Sequence, residues 1–141
     1  MATKNLLHEI FDEVEKGDAK LDQYAKNAAI RLVLEHAFLP EKKFNLPEGD
    51  PPYKESPHPI GMSETTLVHE ARRLYVFCRK DLKPIKRESL FIELLENIDK
   101  QDAKILLAIK EQKLSKLYKK ITKAAAIKAG IINEPKDTDD Q

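Results

Sequence analysis

Hydrophobic positions in this chain recur at helical spacing, most densely between Arg87 and Leu114. Leu90, Phe91, Leu94, Leu95 and Ile98 share a face about 140° wide at 100° per residue. Asp99 follows as a candidate N-cap, with Asp102 placed to complete a capping box. A second apolar set, Ala103, Leu106, Leu107, Ala108 and Ile109, begins at once. Two helices joined so closely must lie against each other. No other stretch is as apolar over this length, so the pair is expected at the centre of the core, with Leu94 and Leu106 buried.

The flanking patterns are also helical. Leu7, Ile10, Phe11 and Val14 predict a helix over 3–16, with Gly17 as its left-handed stop. Asp18 can cap a second helix over 19–38, with Leu21, Tyr24, Ala25, Ala28 and Leu32 on one face and Val33 widening it. Pro40 ends that pattern. Residues 39–62 hold Pro40, Pro47, Pro51, Pro52, Pro57 and Pro59, which exclude a helix, and no alternation argues for a strand. This long extended loop is expected to be ordered, pinned to the body by Phe44, Leu46, Tyr53, Ile60 and Met62.

Ser63 can cap a helix running to about Lys80. Leu67, Ala71, Leu74 and Cys78 form its expected stripe, with Val68, Tyr75 and Phe77 alongside. Beyond Leu114, Leu117, Tyr118, Ile121 and Ala125 cluster with it if the helix continues, although Thr122 could restart a shorter one. Gly130 closes the last element. The prediction is an all-α bundle of about five or six helices. Residues 1–132 form its single domain, the long loop packs on it, and 133–141 are an acidic disordered tail.

Composition narrows the classes. Hydrophobic residues make up 41% of the 141 and charged residues 35%, as expected of helices with solvated outer faces. The only cysteine, Cys78, excludes an internal disulfide and fits a reducing cytosol; in its apolar run it reads as a small core residue. The N-terminus lacks the apolar region of a secretory leader, and Ile105–Ile109 is far too short to span a bilayer.

The net charge of +1 hides a gradient. Residues 1–71 carry 8 basic and 13 acidic side chains, residues 72–128 carry 16 and 7, and residues 129–141 carry 1 and 4. An acidic first half, a basic second half and an acidic end point to an anionic partner or to internal pairing with the acids of 9–22. In 72–87, Arg72, Arg73, Arg79, Lys80, Lys83, Lys86 and Arg87 meet one acid, Asp81. Lys116, Lys119, Lys120 and Lys123 form a second basic group. Either set could meet phosphates or an acidic protein. No zinc-finger spacing, aromatic RNA-binding pattern or helix-turn-helix sharpens the choice. Tyr75 could stack on a base, but its place among Leu74, Val76 and Phe77 predicts burial.

Other chemistry finds little footing. His8, His36, His58 and His69 lack metal-ligand spacing. Ser63, Ser89 and Ser115 lack a Gly-flanked elbow. Glu93 and Glu96 fall on the solvent side of the central helix, where carboxylates solubilise. The reading assigns no catalytic residue, no metal and no cofactor, and points away from an enzyme.

Four segments carry a resemblance: KNLLHEIFDEVEK, LPEGDPPY, GMSETTLVHEARRLYVF and RESLFIELLENIDKQDAKILLAIKEQKL. In these the chain resembles a family of small uncharacterised proteins encoded by large contractile-tailed bacteriophages of marine bacteria. The resemblance implies a phage protein in the cytoplasm of the infected host, or one built into the virion, and transfers no activity. Two functions are therefore expected. The first is a non-enzymatic accessory or adaptor protein that binds a phage or host protein through the basic half, with nucleic acid as a further candidate partner. The alternative is a minor structural component of the phage particle.

Overall fold

The computed structural model describes residues 6–49, 51–55, 57, 63 and 65–132. Among these every regular element is helical, and there is no strand. The expected tail over 133–141 and the expected pins Ile60 and Met62 lie outside the described residues.

Helix α1 (Leu7–Lys16) ends as its sequence predicts. Gly17 takes φ +88°, its N–H bonds Val14 O at 3.1 Å, and Asp18 N bonds Glu13 O at 2.9 Å. These two bonds satisfy carbonyls that a helix end leaves open. The buried stripe is Leu7, Ile10, Phe11 and Val14.

The expected helix over 19–38 is divided. Leu21–Tyr24 is a 3₁₀ turn, and α2 (Ala28–Phe38) starts afresh. Asn27, not Asp18, is its cap: the Asn27 side chain accepts from Ile30 N at 3.1 Å. The break resets the register, so Ile30, Val33, Leu34 and Ala37 face inward while Ala28 is exposed.

Pro40–Lys42 forms one 3₁₀ turn, after which the chain crosses the body in extended form. Phe44 is fully packed, edge-on to Phe77 and Phe91 with ring centroids 5.3 and 6.0 Å away. Tyr53 and Leu46 are half-buried. A segment this rich in proline makes few main-chain hydrogen bonds of its own, so side chains from the body meet its exposed N–H and C=O groups. Lys110 Nζ, buried, donates to Pro47 O at 2.7 Å and also engages Glu111. Glu111 accepts from Gly49 N at 3.0 Å, and Glu96 from Lys54 N at 3.0 Å.

The helix expected from Ser63 to Lys80 also changes form. Thr66 is the cap, accepting from His69 N at 3.0 Å. Helix α3 (Leu67–Glu70) makes one turn, and Ala71–Cys78 continues as a 3₁₀ helix. At three residues per turn, positions i and i+3 align. Ala71, Leu74 and Phe77 therefore take the buried column, and Cys78 is only half-buried.

Helix α4 (Pro84–Asn97) and α5 (Lys100–Lys110) form the expected central pair. Phe91, Leu95, Ile98, Ala103, Leu106 and Ile109 are buried. Leu90 and Leu94 are not: both are half-buried and line a groove. Asp99 caps α5, accepting from Gln101 N at 2.9 Å. Asp102 does not close a capping box. Instead its Oδ1 takes both His8 N and His8 Nδ1 at 2.9 Å, docking α1 on α5, while Oδ2 has no protein partner. Helix α5 packs against α1, α2, α3, α4 and α6 and is the axis of the fold.

The chain after Leu114 breaks where Thr122 allows it. Helix α6 (Leu114–Leu117) is one turn, and α7 (Lys123–Lys128) begins with Thr122 Oγ1 accepting from Ala125 N at 3.1 Å. Tyr118 and Ile121 in the break are buried, Leu117 is exposed, and Gly130 ends α7 with φ +82°.

Two measurements test this core. Leu106→Ala should cost roughly 2–5 kcal/mol in urea unfolding, whereas Leu94→Ala, already partly wet, should cost roughly 1–2 kcal/mol. Equal losses would place Leu94 in the sealed core. For the α1–α5 joint, Asp102→Ala strands two buried donors and should cost roughly 2–4 kcal/mol. Asp102→Asn keeps the acceptor and should cost less. Burial pushes the Asp102 carboxyl above its ordinary value of 3.8, against the pull of His8. On acidification the folded state thus takes up this proton before the unfolded chain, so Asp102 adds stability as pH falls toward that value. Asp102→Asn should lack this component when melting temperature is followed against pH, with His8 and Asp99 facing the site in both proteins.

Candidate polyanion-binding face

The first basic run occupies one continuous stretch of surface. Arg72, Arg73 and Tyr75 sit on the 3₁₀ helix, Arg79 and Lys80 on the turn after it, and Lys83 and Lys86 at the start of α4. With 120° between residues, Arg72 and Tyr75 share one outward column, and Arg73, Val76 and Arg79 share another. Tyr75, expected to be buried, is 56% exposed. Ile85 is 77% exposed beside Lys83 and Lys86.

Arg87 does not belong to this face. Its guanidinium is buried, with Nε donating to Asn45 O at 2.6 Å and Nη1 to Leu82 O at 2.7 Å and Arg79 O at 3.0 Å. It holds the turn that carries Arg79, Lys80 and Lys83, and ties that turn to the proline-rich segment. Asn45 N closes the same junction on Phe77 O at 2.7 Å. Arg87 is therefore a positioning residue and cannot reach a partner.

The acids near this face are engaged. Arg79 grips Asp81 through Nε at 2.9 Å and Nη2 at 2.6 Å, which lowers the Asp81 carboxyl and raises the guanidinium. Arg73 meets Glu70 at 3.4 Å. Arg72, Lys80, Lys83 and Lys86 are exposed and, among the described residues, form no ion pair. Helix α4 opens with Pro84, no side-chain cap and no acid in its first turn, so its positive end is uncovered.

The second run lies elsewhere. Lys116, Lys119 and Lys120 are exposed and Lys123 is half-buried, on the α6–α7 segment. That segment packs on α5 and on the Leu21–Tyr24 turn, whereas the first run packs on α2 and α4. Lys120 is fixed through its main chain, its N–H donating to Glu15 Oε1 at 2.9 Å.

A groove of about 470 Å³ separates the 3₁₀ helix from α4. Val76, Phe77, Leu90 and Leu94 line it, with Glu70, Arg73, Glu93 and Asn97 at its edges. Glu93 and Glu96 are exposed, as expected. Cys78 Sγ donates to Lys42 O at 3.3 Å, and burial raises the thiol above its ordinary value, opposite to an activated nucleophile. Among the described residues no three His, Cys, Asp or Glu side chains converge as metal ligands; His58 lies outside them. Among the described residues no helix is long and apolar enough to cross a membrane.

The sequence carried a signal for Arg87 that its charge obscured. Arg87 lies four residues before Phe91 and eight before Leu95, on the buried face of α4. Lys110, four after Leu106, is the same case on α5. Tyr75 gave no such signal, because its exposure follows from the 3₁₀ period.

Over residues 7–116 the chain matches a family described as a family of unknown function (DUF6433). No curated protein and no solved structure matches it.

The Arg87 junction predicts its own failure. Arg87→Ala should cost about 3 kcal/mol, since three carbonyls lose charged donors at once. Arg87→Lys should recover only part, lacking the planar fork. In the wild type, trypsin should spare Lys42, Lys43 and Lys54; in Arg87→Ala, cleavage there should accelerate. Equal cutting in both proteins would mean the proline-rich segment is not held by this residue.

Proposed function

The chain belongs to this family of unknown function, and we propose that it is a phage-encoded, non-enzymatic adaptor that engages an anionic partner through the face from Arg72 to Lys86. The setting is the cytoplasm of the infected bacterium. One observation carries the reading: exposed cations that form no ion pair among the described residues stand on a turn held by a buried arginine. Surface cations not bound to anything local are free to release counterions on contact with a polyanion. Rigidity lowers the ordering cost of that contact. A phage or host protein with an acidic surface, or nucleic acid, presents the matching charge.

The test uses immobilised heparin, then infected-cell lysate. Wild type should be retained at low salt and elute as salt rises. A variant with Lys80, Lys83 and Lys86 changed to Glu should fold normally and elute much earlier. No retention of wild type would remove the reading. Equal retention of the variant would move the surface to Lys116, Lys119, Lys120 and Lys123. Capture from lysate with and without nuclease then separates protein from nucleic-acid partners. Mass spectrometry of purified virions against lysate separates an adaptor from a structural component of the particle.

A further inference from the structure

We infer that the anionic partner of the Arg72–Lys86 face is single-stranded nucleic acid, gripped at its phosphates by Lys80, Lys83 and Lys86 and stacked at one base on Tyr75. The inference rests on the polyanion reading above and goes beyond it in naming the ligand and the residue that selects it.

Exposed apolar side chains are distributed unevenly on this molecule. Among the described residues, three large ones are exposed: Tyr75 at 56%, Ile85 at 77% and Leu117 at 46%. All three lie inside the two basic runs, and two lie in the first. A surface that meets only solvent gains nothing from an open phenol ring among cations, and tyrosine can also anchor a protein partner, which is why poly-glutamate stands beside the nucleic acids in the test below. A surface that meets unpaired bases does, because every base offers a face on which an aromatic ring can stack. Positive charge interleaved with exposed rings is the common requirement of proteins that follow a single strand.

The local geometry supports this choice over a duplex. The 3₁₀ helix sets Arg72 and Tyr75 in line, one turn apart, roughly 6 Å along the axis at 2.0 Å per residue. Past that turn, Lys83 and Lys86 flank the uncapped start of α4, where helix polarity favours phosphate. Helix α4, the long helix of this face, is held in the body by Arg87, Phe91 and Leu95 and is not free to enter a major groove. The 3₁₀ helix is itself anchored by its Ala71, Leu74 and Phe77 column. Among the described residues, Asp81 is held by Arg79, and Glu70 by Arg73 and Thr65. Glu93 and Glu70 line the groove, which makes it a poor path for a phosphate chain.

The experiment is fluorescence anisotropy with the full chain against labelled oligothymidine, the matching duplex and labelled poly-glutamate, at low and moderate salt. Wild type should bind oligothymidine more tightly than duplex or poly-glutamate. Tyr75→Ala should weaken oligothymidine binding about 5- to 100-fold while leaving duplex binding within about twofold. Tyr75→Phe should retain it. Tyr75→Trp, the chain's only tryptophan, should show fluorescence quenching when oligothymidine is added. Circular dichroism of Tyr75→Ala should match wild type, as expected for an exposed residue. Several results would overturn the inference. One is oligothymidine binding that does not respond to Tyr75→Ala. Another is preference for duplex or poly-glutamate, which would keep the basic face as a polyanion site and reject the single strand. Absence of binding to all three polymers would remove the polyanion reading as well.

Discussion

A buried guanidinium with three main-chain carbonyls in its reach holds together parts of the molecule that are far apart in sequence. Arg87 takes Asn45 O, Arg79 O and Leu82 O, and so locks the proline-rich crossing segment, the end of the 3₁₀ helix and the start of α4 into one unit. Prolines deny that crossing segment any regular hydrogen bonding of its own, so its polar main chain has to be met from outside. Lys110, Glu111 and Glu96 complete the task from α4 and α5. The buried charges here satisfy carbonyls more than they satisfy each other. That spares the fold the poor return of isolated buried ion pairs.

The same logic explains how α5 can be ringed by so many short elements. Two of its neighbours, α3 and α6, are single turns and would not be stable alone. Three other elements, α1, α5 and α7, end in devices that close their open groups. Gly17 and Gly130 do this in the left-handed region, as glycine readily does. Gln112 does it at φ +55° without being glycine. Its side chain also donates to His36 O at 3.0 Å and Leu39 O at 2.7 Å, stitching the end of α2 to the end of α5 and offsetting the local strain.

Where the sequence could be read, a single physical rule was enough to decide the outcome. The central pair, α1 with its Gly17 stop and the anchoring of Phe44 all followed from helical spacing, a glycine or a lone aromatic. The all-α class followed with them. Reading failed where two rules competed. Asn27 and Asp18 are both good caps, and only tertiary packing selects Asn27. Ser63 and Thr66 pose the same choice. The 3₁₀ form of Ala71–Cys78 is set by what lies beneath it: it brings Phe77 against Phe44 and Phe91 and turns Cys78 partly out. That shift also moved Tyr75 from the expected interior to the surface. Of the eleven cations nominated from sequence, Arg87 alone proved buried, on the apolar stripe of α4, and the structure separated the rest into two faces.

An eight-residue 3₁₀ run is unusual in length, and it has a metric consequence. At 2.0 Å per residue instead of 1.5 Å, it is about 4 Å longer than the same residues wound as an α-helix. Its side chains also run in straight files, without the gradual spiral of an α-helix. The Arg72–Tyr75 file and the Arg73–Val76–Arg79 file are thus parallel rulings on a flat edge, graduated every 6 Å or so. Side chains in one file therefore face the same way at a fixed interval, where an α-helix would turn each successive one away.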